Sequence, residues 1–436
     1  MDINTLYQEY LLSSGVSIDS RSIKPNQIFF ALPGTKVKGS QYASEALNKG
    51  ARLALVEDEG LAQNESKFFF TPDALLALQN LAIHHRNHLQ IPIIGITGSA
   101  GKTTTKELIS KVLSKKYVVS STQGNLNNHI GVPLTLLGIT PQTQIGIVEM
   151  GANHINEIEA LCEIARPTHG LITSIGKAHL EGFGSLEGVI LAKSELFRFL
   201  NKQNGVIFVN QDDALVFNVS KAFDMKKVFY ADLINGELID ASHLLKLRLA
   251  SNKKEVFVNT SLPGKYNYSN LLSAATVGAY FGVSLQEIKI AFETFENSNN
   301  RSQLIKKGTN DYLMDAYNAN PLSMSEAISS FADLVTDKNK ILVLGEMREM
   351  GVDEMAEHKK IIELVQRFPW SMVCLIGDSF NFVDTSSHLK LFKDVDAFKS
   401  WESLQPFENA FILVKGSRGV ALEKWISQST TFDSTH

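Results

Sequence analysis

The densest chemistry in the chain lies in Gly95-Ile-Thr-Gly-Ser-Ala-Gly-Lys-Thr103-Thr-Thr-Lys-Glu. Glycines let backbone N–H groups converge on one point, which suits phosphate oxygens, and a helix starting near Thr103 adds its partial positive charge. The cradle is Thr97, Gly98, Ser99, Ala100, Gly101, Lys102, Thr103 and Thr104. In such a loop Lys102 reaches the β- and γ-phosphates, and the Thr103 hydroxyl is placed to ligate Mg2+. The spacing departs from the generic pattern, because Ile96 stands where its first glycine belongs. A loop of this kind also needs an acidic metal partner on a neighbouring strand. Glu149 directly follows the apolar run Ile145-Gly-Ile-Val148, at the strand end where parallel sheets bind ligands.

Weaker signals surround this one. His179, in Lys177-Ala-His179, falls on the same rim but reads by itself as a structural loop histidine. Lys193, in Leu191-Ala-Lys193-Ser-Glu195, reads by itself as a solvated helical lysine. His84 and His88 share a helix face at i,i+4. No third ligand accompanies them, so a surface helix is the simpler reading.

The elements that must hold these residues follow from the apolar pattern. Residues 1–88 suggest a small α/β module, with strands at Ile28-Phe-Phe-Ala-Leu and Leu53-Ala-Leu-Val and helices over 42–50 and 74–88. Ile91-Pro92 marks a boundary, since the residue before proline leaves the helical region. The next block has strands apolar throughout: Ile93-Ile-Gly-Ile, Ile145-Gly-Ile-Val, Leu171-Ile-Thr-Ser-Ile and Val206-Ile-Phe-Val. Helical stretches separate them, including one over 103–115, which is the signature of a parallel sheet covered on both faces. From about residue 298 the alternation restarts with Tyr312-Leu-Met, Ile341-Leu-Val-Leu, Met372-Val-Cys-Leu-Ile and Phe411-Ile-Leu-Val. Residues 427–436 read as a frayed tail.

Composition narrows the class. A length of 436 residues calls for two or three domains. A formal charge of −4 offers no electrostatic case for nucleic acid, and no apolar run reaches the ~18 residues of a membrane span. Cys162 and Cys374 sit in apolar contexts without metal-site spacing, as expected of small core residues in a reduced, cytoplasmic protein.

Taken together, these segments resemble the Mur ligases of bacterial cell-wall synthesis. The resemblance is carried by Thr97–Lys106, Thr122-Gln-Gly-Asn-Leu-Asn-Asn-His-Ile-Gly, Glu149-Met-Gly-Ala-Asn-His154, Ala178-His-Leu-Glu-Gly-Phe-Gly-Ser185 and Ala192-Lys-Ser-Glu195. It continues through Gly264-Lys-Tyr-Asn267-Tyr-Ser-Asn270, Arg301, Asp315-Ala-Tyr-Asn-Ala-Asn-Pro321, Leu344-Gly-Glu-Met and Val414-Lys-Gly-Ser-Arg418. Asp19-Ser-Arg21 and Phe29–Gly34 are similar to the family's UDP-sugar entry. Tyr266 departs from the histidine usual before Asn267, and Lys38–Tyr42 departs from the usual Asp-Gly-His-Asp-Phe.

The resemblance implies a three-domain α/β architecture. Residues 1–88 would be an N-terminal UDP-sugar-binding domain, 89–297 a central P-loop ATP-binding domain, and 298–436 a C-terminal Rossmann-like domain for the incoming amine. It implies ATP-dependent ligation of D-alanyl-D-alanine to UDP-N-acetylmuramoyl-tripeptide through an acyl phosphate, by a cytoplasmic monomer that needs neither nucleic acid nor membrane insertion. It also implies roles: Thr103 and Glu149 on one Mg2+, and His179 with a CO2-derived carbamate on Lys193 on a second. Asn267 and Asn270 would contact adenine, Arg301 the γ-phosphate and Asp315 the ribose. Ser20, Arg21, Asn125, Asn127 and Asn128 would bind the UDP-sugar substrate. The Asp-Asn-Pro-Arg tetrapeptide of the diaminopimelate-adding relatives is absent, which favours a dipeptide as the amine. Another Mur-type or folylpolyglutamate-type ligase stays open as an alternative within the class. A P-loop kinase or a nucleotide-gated binding module stays open outside it.

Overall fold

The apolar runs become the inner strands of three parallel or mostly parallel sheets. A computed structural model describes them for residues 2–34, 37–64, 66–297 and 301–427. The first sheet has four parallel strands in chain order: Val16–Ser17, Ile28–Phe30, Leu53–Val56 and Phe68–Phe70. The helix Ala74–His88 follows, capped by the Asp73 side chain on the Leu76 N–H at 2.7 Å. It packs on Gly131–Leu137 and Glu157–Ala165 of the next block as well as on Ile3–Leu11. One continuous apolar core therefore runs from Leu6 and Leu78 to Leu196 and Val216.

The central sheet has six parallel strands. Their order is Lys226–Phe229, Val206–Val209, His169–Ile172, Ile93–Thr97, Ile145–Glu149, Val119–Ser121. The chain moves from Ile93–Thr97 to one side and returns to the other, so its end is the crevice where such sheets bind ligands. Every residue of that strand is buried. Ile93 belongs to one core and Ile94 and Ile96 to another across the sheet, which is why the run is apolar throughout. The helix Lys102–Leu113 then buries Leu108, Ile109, Val112 and Leu113, each stabilising by about 1.5–3 kcal/mol. It lies tightly on Asn267–Tyr280: a Cβ at Gly278 would come within 2.4 Å of Val112 Cγ1.

The third large sheet is ordered Gln303–Lys307, Asn310–Asp315, Ala410–Lys415, Asn339–Gly345, Met372–Ile376, Leu389–Phe392. Only the first pairing is antiparallel. A three-stranded antiparallel meander, Asn235–Asp240, Leu244–Ser251 and Lys254–Pro263, was not expected from the apolar runs. Its Leu245, Leu247, Leu249 and Val258 extend the core behind the P-loop helix, and its Ser242 carbonyl accepts from Val335 N–H at 2.7 Å.

Two expectations shift. The strand expected over 171–175 is His169–Ile172, because the next two side chains leave the ladder to hold the phosphate loop. The helix with His84, His85 and His88 is not simply a surface helix. His85 is buried with Nε2 3.1 Å from the Ile139 carbonyl, and Tyr7 lies against the His84 and His88 rings at 4.6 and 4.9 Å. The expected boundary at 298 and the tail beyond Ser427 lie outside the described residues. No helix of the described residues is long and apolar enough to cross a membrane.

Candidate active site

The phosphate loop leaves its strand through backbone conformations only glycine takes freely. Gly98 has φ +149° and Gly101 φ +80°. A Cβ on Gly98 would meet Thr173 Oγ1 at 2.0 Å, and one on Gly101 would meet Asn270 Oδ1 at 2.6 Å. The neighbouring strand end holds the loop in shape. Thr173 Oγ1 donates to the Ala100 carbonyl at 2.5 Å, Ser174 Oγ accepts from Ala100 N–H at 3.0 Å, and the Ser174 carbonyl accepts from Ser99 N–H at 2.9 Å. Lys102 Nζ folds back onto the Gly98 carbonyl at 2.6 Å. Burial lowers its pKa; Glu149 opposes that shift and Arg301 adds to it, so both side chains lie in its field.

Glu149 ends the adjacent strand, in register with Ile96. Its Oε1 accepts from Thr103 Oγ1 at 3.1 Å and from Asn127 Nδ2 at 2.8 Å. Its Oε2 is buried and has no hydrogen-bond partner. A buried carboxylate oxygen left bare beside a phosphate cradle is costly, and a cation held with Thr103 would satisfy it. Among the described residues no group of three or more His, Cys, Asp or Glu is placed to hold a metal alone. Thr103 and Glu149 are donors that Mg2+ would accept, since it takes one or two carboxylates and completes its shell with water and substrate phosphates. Asn127 is thus an orienter of Glu149 as well as a cavity residue. Asn128 Oδ1 accepts from the Ile130 and Gly131 N–H groups at 3.1 and 2.9 Å, just ahead of the helix Gly131–Leu137. Asn125 is exposed, its carbonyl accepting from Asn127 N–H at 2.8 Å.

Lys193 is not solvated. Only 1% of it is exposed, on the inner face of the helix Leu186–Lys202, with Nζ 3.4 Å from the Ala152 carbonyl and 5.0 Å from the Phe183 ring centre. Burial, with Lys102 adding, lowers its pKa to about 7; Glu195 and Glu157 oppose. Glu195 is occupied elsewhere, accepting from the N–H groups of Asn156 at 2.7 Å and Glu159 at 2.9 Å. His179 lines the cavity in a left-handed conformation, φ +51°, and its Nδ1 is bonded to the Glu349 carboxylate from the third sheet's domain.

Of these groups the phosphate loop, Asn127, Asn128, Glu149 and His179 line one cavity of about 1100 Å3 between the central and C-terminal sheets, whereas Asn125, Lys193 and Glu195 are not part of its lining. The far wall brings Asp315, whose Oδ2 accepts from the buried Lys415 at 2.5 Å and whose Oδ1 accepts from Ser302 N–H at 3.3 Å. Arg301 lies with its guanidinium 3.8 Å from the Tyr317 ring centre, its Nε buried and unpartnered. Asn270 Oδ1 accepts from Thr105 Oγ1 at 3.0 Å, and Asn270 Nδ2 donates to Asn267 Oδ1 at 3.0 Å. Asn267 Nδ2 donates to the Pro263 carbonyl at 2.8 Å. Tyr266, in place of histidine, is half-buried with its hydroxyl 2.7 Å from Ser302 Oγ. Ser20 and Arg21 do not line this cavity. Ser20 donates to Glu45 Oε2 at 3.0 Å, and the exposed Arg21 pairs with Asp19 at 2.8 Å.

Among the cavity residues to which the sequence reasoning gave no role are Lys415, Tyr317, Glu326 and Asp213. Lys415 carried the one usable signal, a lysine ending an otherwise apolar strand, as Glu149 does.

Comparisons with known proteins agree with this geometry. The chain matches the Mur ligase family catalytic domain over residues 13–122, the Mur ligase middle domain over 96–278, and the Mur ligase glutamate ligase domain over 300–418. The chain belongs to the Mur ligase family. Among its relatives, the UDP-N-acetylmuramoyl-tripeptide–D-alanyl-D-alanine ligase of Escherichia coli is 33% identical, over 94% of this chain and 92% of that protein. The Bacillus subtilis protein of the same name is 32% identical, over 97% and 94%. A crystal structure of MurF from Acinetobacter baumannii superposes with a TM-score of 0.83 at 26% identity, covering 97% of this chain and 98% of that one. MurF from Thermotoga maritima in complex with ADP shares the fold, with a TM-score of 0.81 at 23% identity over 96% and 97%.

Proposed function

We propose that this chain joins D-alanyl-D-alanine to UDP-N-acetylmuramoyl-tripeptide, cleaving ATP to ADP and phosphate. The observation that carries this reading is the single cavity in which Lys102, Thr103 and Glu149 of the central sheet face Arg301, Asp315 and Lys415 of the C-terminal one. A carboxylate is a poor acyl donor, and phosphorylation supplies its leaving group. The tripeptide carboxylate attacks the γ-phosphorus as the bond to the β-bridging oxygen breaks and ADP leaves. The dipeptide amine then attacks the acyl carbon, the C–O bond to phosphate breaks, and the nitrogen gives up a proton.

The residue roles in this reading are those the family resemblance implies, supported by the shared cavity. Lys102 and Arg301 spread the charge of the transferred phosphoryl group. Thr103 and Glu149 would hold one Mg2+, with Asn127 aiming the carboxylate. Asn267 and Asn270 face adenine, and Asp315 takes the ribose hydroxyls. Lys193 carries a carbamate, which with His179 would hold a second Mg2+; bound Mg2+ withdraws charge from the phosphate oxygens. The low pKa of Lys193 supports this, because only the neutral amine reacts with CO2. The carbamate also replaces repulsion of Lys102 by attraction. Residues 1–88, with Ser20 and Arg21, take the UDP end, 89–297 bind ATP, and 298–436 bring the amine. Asn125, Asn127 and Asn128 lie on the path of the acyl substrate.

The test is ADP release with UDP-N-acetylmuramoyl-tripeptide and D-Ala-D-Ala, D-Ala, L-Lys or meso-diaminopimelate, followed by mass spectrometry of the product. ADP should appear in quantity only with both substrates, and D-Ala-D-Ala should be the preferred amine. Faster release from UDP-muramoyl-dipeptide with a diamino acid would overturn the branch assignment. Stable phosphorylation of an acceptor without amine would make the chain a kinase.

A further inference from the structure

Two loops from different domains clasp each other at His179. The first, Lys177–Phe183, follows the central strand His169–Ile172; the second, Glu346–Asp353, follows the C-terminal strand Asn339–Gly345. Glu349 contributes twice to the clasp. Its carboxylate bonds His179 Nδ1, and its carbonyl accepts from Glu181 N–H at 3.1 Å. Both partners hold left-handed backbone, His179 at φ +51° and Glu349 at φ +63°, a conformation that a residue with a side chain keeps only where its surroundings fix it. Beside them Gly351, φ +56°, sits so close that a Cβ would lie 3.2 Å from Glu181 Cα. A separate ion pair, Lys177 to the buried Glu357 at 2.7 Å, ties the same loop to the helix Glu354–Val365.

The Glu349 bond has a chemical consequence. A carboxylate on Nδ1 favours the tautomer with its proton there, which leaves the Nε2 lone pair as the ring's only ligating atom. His179 lines the cavity, so Nε2 is the atom available to it. The ring also meets Phe183 edge to face, 6.4 Å between centres, which restricts its rotation.

We infer that Glu349 is the positioning residue for His179. It is supplied by the C-terminal domain, so His179 is set for ligation only when that domain is docked. The inference rests on the proposed ligase reading for its purpose, but its geometry does not. Docking of the amine-carrying domain and completion of the phosphate-side ligand set thus become one event. A ligase gains from this coupling, because an acyl phosphate formed before the amine domain arrives is exposed to water.

The test uses full-length protein labelled with 15N-histidine, with His179 assigned by comparison with His179→Gln. Long-range 15N–1H spectra of the metal-free wild type should show the Nδ1–H tautomer at His179, and Glu349→Ala should lose that preference. Mn2+ binding in the presence of ADP, read by electron paramagnetic resonance, should weaken about 10- to 100-fold in Glu349→Ala, with partial rescue in Glu349→Gln, whose amide oxygen still accepts. Lys177→Met removes the Lys177–Glu357 ion pair between the same loop and the C-terminal domain and should leave the tautomer unchanged. An unchanged tautomer in Glu349→Ala, Mn2+ binding within twofold of wild type, or an equal effect of Lys177→Met would each overturn the inference. If the ligase reading fails, no substrate pair yields ADP while the tautomer result still stands or falls by itself.

Discussion

Lys193 offers the sharpest test of the chemistry. Its shift from 10.5 to about 7 corresponds to roughly 5 kcal/mol against the ammonium form. At about pH 7.5 such an amine is roughly three-quarters neutral, whereas an ordinary lysine is neutral in roughly one molecule in a thousand. Carbamate formation uses the neutral amine: the N–C bond forms, a C=O electron pair moves to oxygen, and the nitrogen proton leaves to solvent. The fold therefore raises the reactive fraction of this lysine by several hundredfold. The assay is ADP release in buffer stripped of CO2 and then resupplied with bicarbonate. Activity should fall on stripping and return on resupply. The dependence should be steeper at pH 6 than at pH 8, because protonation below about pH 7 withdraws the amine. A 13C signal should appear at Lys193 when 13C-bicarbonate is used. Lys193→Ala should be nearly inactive and partly restored by a short carboxylic acid occupying the vacated space. Full activity without CO2, together with no 13C label at Lys193, would refute the reasoning.

Lys102→Ala should lower turnover by more than a hundredfold while leaving the melting temperature within a few degrees, since the side chain bonds only its own loop; turnover within about tenfold of wild type would remove the phosphate loop from the mechanism. Glu326 lines the cavity, and burial first, then Asp213 and Asp315 against the opposing Lys415, raises its pKa from 4.5 to about 7. The folded chain then binds an extra proton between those values, so stability falls as pH rises through them. Glu326→Gln should abolish that part of the decline and raise stability at pH 8 by ~1–2 kcal/mol, after allowance for solvent in the cavity, with no gain near pH 4; equal denaturant midpoints at pH 8 would contradict it.

What the sequence made legible was chemistry confined to one strand end. Gly98, Gly101, Lys102 and Thr103 are contiguous, and Glu149 is conspicuous because it terminates an apolar strand. Central strands were legible for a related reason: burial on both faces leaves a run such as Ile93–Ile96 with no polar interruption. The meander over 235–263 was not, because a strand such as Leu245-Lys-Leu-Arg-Leu249 alternates apolar and charged residues, with one face towards water. Such a pattern carries a weaker signal than a continuous run. Partnerships between distant segments were equally hidden. Lys415 and Asp315 are 100 residues apart, His179 and Glu349 are 170 apart, and no local periodicity links them.

Lys193 shows why such partnerships decide function. On its own helix it is one polar residue between Ala192 and Ser194, and a lone helical lysine is ordinarily solvated. Burial alone changes its chemistry: the packing of its helix against Glu157–Ala165 and the Phe183 loop excludes water from Nζ, and Lys102 adds a second positive charge nearby. An ammonium is unfavourable there on both counts, a neutral amine relieves the first, and a carbamate anion turns the second from repulsion into attraction. A residue that looked little like chemistry in the sequence is therefore one whose protonation depends on the assembled site, and the phosphate loop that supplies Lys102 is part of what lowers its pKa.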